Sequence, residues 1–152
     1  MNISKIDAIE ANLDAAIEMF LQGNWVAAVH LAGAAEAVAG QLNAAKGKKT
    51  VPDYFWEKTE LKDLITEKRD FVKVLNFFRD WIKHTNPEHD AEVELQEPHV
   101  VLYILRAVHA YSDLTEKGRP SVGKFLHWYE QNKTRLDEIV DKWPDGPAVT
   151  KV

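Results

Sequence analysis

A chain of 152 residues fits one domain and is long enough to bury a core without disulfides or a structural metal. Apolar residues at 45% and charged residues at 28% exclude a disordered, collagen-like or low-complexity chain. With 19 Lys and Arg against 24 Asp and Glu the net charge is −5, so no global basic field points to nucleic acid or to an anionic membrane, and any such contact has to use a local patch.

In chain order, Ile6, Ile9, Leu13, Ile17 and Phe20 recur at three- and four-residue steps, and Ser4 with Asp7 stands where a cap belongs, so a first amphipathic helix is expected from Ser4 to Leu21. Gly23-Asn24 stops it and caps a second helix that runs to Lys46-Gly47. That helix is rich in Ala and Gly, and Ala28, Ala32, Gly33, Ala35 and Ala39 let a neighbouring axis approach closely, which predicts a central position in a bundle. A basic loop, Lys46 to Pro52, follows, and Pro52-Asp53 opens a new helical region.

From Leu61 a stripe through Leu64, Ile65, Phe71, Val72, Leu75, Phe78, Trp81 and Ile82 runs at helical spacing to His84. Lys68-Arg69-Asp70 interrupts it, leaving one long helix or two shorter ones. Asn86-Pro87 ends this region, because proline lacks a backbone donor and disfavours helical geometry in the residue before it. Glu88 to Gln96 reads as a short extended segment. Glu97-Pro98 begins a helix reaching about Glu116 before Gly118, and Ser121 caps a last helix carrying Phe125, Leu126, Tyr129, Leu136 and Ile139. The expected fold is therefore all-α, a single-domain bundle of five to six helices over residues 1–143, with residues 144–152 as a frayed tail.

No cysteine is present, which excludes thiolate zinc sites and fits a reducing compartment. The N-terminus has no basic segment followed by an apolar stretch, and the longest apolar run, Val100 to Leu105, falls far short of the about 20 residues that span a bilayer. A cytoplasmic protein without membrane partners is expected.

The segment richest in chemistry is Arg79-Asp80-Trp81-Ile82-Lys83-His84. Asp80 and His84 lie four apart and share a helix face, so the carboxylate can accept from the imidazole and set its tautomer. Arg79 and His84 are five apart, about 140° around an ideal helix, and converge on one ligand only if the last turn loosens or a second subunit completes the site. Arg offers a planar fork of donors to phosphate oxygens, and His titrates near neutrality, so it can take a proton from a ribose 2′-hydroxyl or return one to a leaving oxygen without a metal or other cofactor.

This hexapeptide, closing an amphipathic helix of a small helical chain, resembles the Arg-polar-x-x-Lys-His signature of the HEPN superfamily, known for metal-independent ribonucleases of toxin–antitoxin, abortive-infection and CRISPR systems. His30 to Glu36, and Asn86-Pro87 with Asp90 soon after the motif, also look like small bacterial HEPN proteins; the similarity spans Trp25 to Asp113. The resemblance implies an HEPN-like fold, Arg79 stabilising a phosphorane-like transition state, His84 as acid or base, and Asp80 in the polar place that is most often Asn. It further implies a homodimer pairing two motifs, an RNA substrate and an antitoxin protein as partner. Lys83 and Glu36 are expected at the substrate; Glu36 is either the partly buried partner of an Arg or Lys of the cleft, the favoured reading, or a polar residue on the helix edge.

The alternative is a non-catalytic helical bundle for protein interaction or self-association. There Phe78, Trp81 and Ile82 are core, Arg79, Asp80 and Lys83 form a solvated face, and His84 only complements the helix dipole. His84, Glu88, His89 and Asp90 are a weak metal candidate, and no metal site is expected. Lys46, Lys48 and Lys49 read as a solvated loop. His30 reads as a core residue, and Tyr54, Phe55, Trp56, Trp128 and Tyr129 as core or dimer interface.

Overall fold

The computed structural model describes residues 1–59, 65–84 and 92–142, and among them every regular element is helical. The order is α1 (Lys5–Leu21), α2 (Trp25–Ala45), α3 (Val51–Lys58), α4 (Lys68–Lys83), α5 (Glu97–Leu114) and α6 (Pro120–Asp141). The all-α bundle is as expected.

Local chemistry sets most of the boundaries. Ser4 and Asp7 form a reciprocal capping box on α1, and Thr50 and Asp53 form another on α3. Asn24 caps α2 by accepting from Ala27 N–H, after Gly23 has turned the chain with φ of +79°, a conformation that favours glycine. The interruption at Lys68-Arg69-Asp70 is the start of α4 itself, so the stripe is split there; its positions Leu61 and Leu64 lie outside the described residues. The Asn86-Pro87 stop and Glu88 to Asp90 also lie outside them, and residues 92–96 carry no regular structure.

Two boundaries differ from expectation. α5 stops at Leu114, short of Glu116. α6 starts at Pro120 with Arg119 in the cap position and no capping side chain, because the Ser121 hydroxyl donates instead to Asp14 of α1. That exchange trades a local cap for a tie between helices: Arg119 pairs with Asp14 and with Glu10, the latter at 2.7 Å, and clamps the start of α6 to α1.

α2 lies between α1 and α5, which form the two largest helix contacts of the fold with it. Ala28, Ala32, Ala35 and Ala39 have no exposed surface, so the prediction from small residues holds. Against them pack Ile9, Leu13 and Ile17 of α1 and Val100, Ile104 and Ala107 of α5, with Phe125 and Leu136 of α6 closing one end. Each such large side chain contributes about 1.5–3 kcal/mol by leaving water. Two periodicity readings are corrected. His30 is exposed, on the α2 face turned away from both neighbours, and Trp81 is 39% exposed because α4 meets the core through Phe78 and Ile82 instead, while its buried Phe71 packs against Trp56 of α3. Phe55, Trp128 and Tyr129 do pack against the core, whereas Tyr54 is exposed.

His99 fastens the start of α5. Its Nδ1 accepts from Gln96 N–H at 3.1 Å, and its ring lies 4.6 Å from that of Phe78 on α4. Burial, opposed by the nearby Glu94 charge, lowers its pKa from the ordinary 6.5. The folded state therefore binds fewer protons at His99 than the unfolded chain does as pH falls through that value, and stability present at neutral pH is lost on the acid side. The urea midpoint is expected to drop between about pH 7.5 and 5.5, and His99→Gln to flatten that drop; an equal slope in the variant would place the titrating group elsewhere.

Candidate functional site

Arg79 stands on the last full turn of α4 and is drawn toward α2. Its stem lies over Gly33, where a Cβ would come within 2.7 Å of Arg79 Cδ and 2.9 Å of Cγ, so a bare backbone is what lets the side chain lie there. Its backbone N–H donates to Tyr103 Oη of α5 at 3.3 Å, and its side chain is 19% exposed. The Nε and Nη2 atoms lie 3.1 and 3.0 Å from Asp80 Oδ1. Asp80, in the polar position, is thus the partner of Arg79 and forms no hydrogen bond with the His84 ring among the described residues.

His84 follows the helix. It is the C-cap of α4, in extended conformation with φ −117° and ψ 116°, and its N–H donates to Asp80 C=O at 3.0 Å. Its ring is exposed, as is Lys83 in the last turn. The structure therefore places Arg79, Asp80, Lys83 and His84 at one end of α4, with Arg79 half-buried toward α2 and His84 facing solvent. No hydrogen bond joins Arg79 to His84 among the described residues.

Glu36 is buried and paired, but with an arginine that the sequence reading passed over. Arg106 of α5 has no exposed surface. Its Nη2 donates to Glu36 Oε1 at 3.0 Å and to Asn76 Oδ1 of α4 at 2.7 Å, and its Nη1 donates to the Leu75 carbonyl. Glu36 Oε2 is 2.9 Å from the same Nη2 but out of line with its N–H, so it accepts no hydrogen bond, and Arg106 Nε donates none. The guanidinium carbon lies 4.9 Å from the Tyr103 ring centre. Burial raises the Tyr103 phenol pKa, keeping it a neutral acceptor for Arg79 N–H. The missed signal was Arg106 itself, a lone arginine within the apolar face of α5.

Beside this network opens a cleft of about 250 Å³ between α2, the start of α3 and α4. Glu36, Asn76 and Arg79 line it together with Gly40 and Ala44 of α2 and Pro52 of α3. Glu36 thus joins the interior lock to the cleft that Arg79 borders. Of the loop lysines, Lys49 pairs with Glu57 at 2.7 Å and Lys48 with the Asp113 carbonyl, in keeping with a solvated loop. Among the described residues no group of acidic or histidine side chains has the disposition of a metal site; Glu88, His89 and Asp90 lie outside them. No helix among them is long and apolar enough to cross a membrane.

The chain matches no protein-family model, no curated protein and no solved structure.

Two substitutions test this arrangement. Glu36→Ala strands the Arg106 charge and is expected to cost about 3–5 kcal/mol, and joint replacement with Arg106→Met is expected to recover much of that; a chemically denatured single variant as stable as the parent would refute the lock. Gly33→Ala is expected to leave stability within about 1 kcal/mol of the parent, since Ala is the better helix former, yet to shift the Arg79 Nε–Hε resonance as the stem is displaced.

Proposed function

We propose that this protein is a HEPN-like, metal-independent endoribonuclease of the cytoplasm, working as a homodimer. The observation that carries the reading is Arg79, an arginine seated on Gly33 at the rim of a cleft, with Lys83 and an exposed His84 at the same end of α4. A guanidinium so placed suits the non-bridging oxygens of a phosphodiester. In the reaction proposed, an imidazole takes the ribose 2′-hydroxyl proton and O2′ attacks phosphorus. The P–O5′ bond breaks with a proton given to O5′, leaving a 2′,3′-cyclic phosphate and a 5′-hydroxyl.

Because Arg79 and His84 do not meet within one chain, the second His84 of a dimer is the acid that complements the first. Trp81, exposed between them on α4, supports a partner copy at that place. Asp80 competes with phosphate for Arg79 and so restrains the enzyme. An antitoxin protein covering this end of α4 would add a second restraint. The Arg79–Asp80 pair also favours the second reading, a non-catalytic interaction module in which the arginine is already satisfied.

Cleavage of a mixed RNA pool in EDTA decides between them. The parent is expected to leave cyclic phosphate ends, and Arg79→Ala and His84→Ala to lose about 10²–10⁴-fold. Asp80→Asn is expected to cleave faster than the parent. A folded, inhibitor-free parent that leaves RNA intact, or cleavage indifferent to both residues, would move the assignment to the interaction module.

A further inference from the structure

Asn76 sits three residues before Arg79 on α4 and lines the same cleft, and the buried lock decides which end of its amide faces outward. A guanidinium carries donors only, so Arg106 Nη2 holds the amide oxygen at 2.7 Å and the amide nitrogen is turned the other way. The side chain is 8% exposed, and its nitrogen donates to no acceptor among the described residues. That nitrogen is not sealed in. Glu36 Oε2 and Arg106 Nε are unpartnered and closed to solvent, whereas Asn76 Nδ2 is unpartnered and open to it.

Arg79 supplies a second donor. Its Nε and Nη2 face Asp80, and its Nη1 has no partner among the described residues. Side chains three apart on a helix are neighbours, with about 5–6 Å between their Cβ atoms, so both donors can reach oxygens of one group. The Glu36 carboxylate is turned inward to Arg106, which neutralises it, and presents no acceptor to the cleft. Ala37 and Gly40 of α2, with Val51 and Pro52 of α3, line the cleft without charge. A cation beside a neutral amide donor, over uncharged walls, is an arrangement that suits the oxygens of a phosphate.

We infer that Asn76 is a second phosphate contact of this site: its Nδ2 donates to a non-bridging oxygen of the phosphodiester that Arg79 holds. Arg106 is then the positioning residue that aims the donor, acting through the amide oxygen. The inference rests on the proposed ribonuclease for its ligand, an RNA strand.

Asn76→Asp separates this role from a structural one, because aspartate keeps an oxygen for Arg106 and removes the donor. A 2′-fluoro RNA oligonucleotide lacks the attacking hydroxyl and stays intact. The folded variant is expected to bind it about tenfold or more weakly than the parent does. Gln41→Glu adds the same charge at the exposed edge of the cleft without touching the donor, and is expected to cost less than about threefold. In the unsubstituted full chain, the Asn76 side-chain amide resonances are expected to move on titration with that strand, and also with an abasic oligodeoxynucleotide of equal length, since the acceptor is phosphate. No binding of either strand, amide resonances that stay in place at saturation, movement only with the base-bearing strand, or a folded Asn76→Asp that binds no worse than Gln41→Glu would overturn the contact. RNA cleavage by the parent alongside any of these would leave the ribonuclease standing without Asn76. Amide resonances that move with both strands while RNA is never cleaved would keep the phosphate contact and remove the nuclease.

Discussion

Arg106 is a cation with none of its surface in water, and the placement of Glu36, Asn76 and the helical turn that presents Arg79 depends on how its charge is satisfied. Removing a guanidinium from solvent is costly unless its donors find acceptors in good geometry. Here they come from two helices, the Glu36 carboxylate on α2 and the Leu75 carbonyl with the Asn76 amide on α4. The three helices are therefore not free to slide against one another. A one-residue change in the register of α4 would leave a buried charge with part of its shell missing.

The same α5 surface reaches one turn further. Tyr103, three residues before Arg106, accepts from the backbone N–H of Arg79, while Arg106 donates to the carbonyl of Leu75. Those two α4 groups are four residues apart, the ones that close a single helical turn. Each takes a second partner from α5, so the turn that presents Arg79 is held by its backbone as well as by its side chains. Gly33 completes the seat by leaving room for the aliphatic stem.

Elsewhere the bundle divides its labour. α1, α2 and α5 form a close-packed interior built on small residues, and α4 meets that interior less extensively, through Phe78, Ile82 and the polar lock. α6 is similarly tied at its start by Arg119 to Glu10 and Asp14. Elements held by few apolar contacts and a handful of directional bonds open at lower free energy than the core they sit on. The candidate site lies on such an element.

The amino-acid sequence alone determined the helical class, the capped starts of α1 and α2, the opening of α3 near Pro52, and the central position of α2, because these follow from periodicity, capping chemistry and side-chain volume within a few residues of each other. It also singled out Arg79 to His84 and gave Glu36 a cationic partner. It assigned Trp81 and His30 to the core, since periodicity gives a face without saying which part of that face a neighbour covers. Only the tertiary structure decided that the partner of Glu36 is Arg106, 70 positions away, that Asp80 turns to Arg79 and not to His84, and that Gly33 is the seat of the arginine. These are choices among competing partners brought together by packing, and no local pattern encodes which acceptor a buried charge will meet.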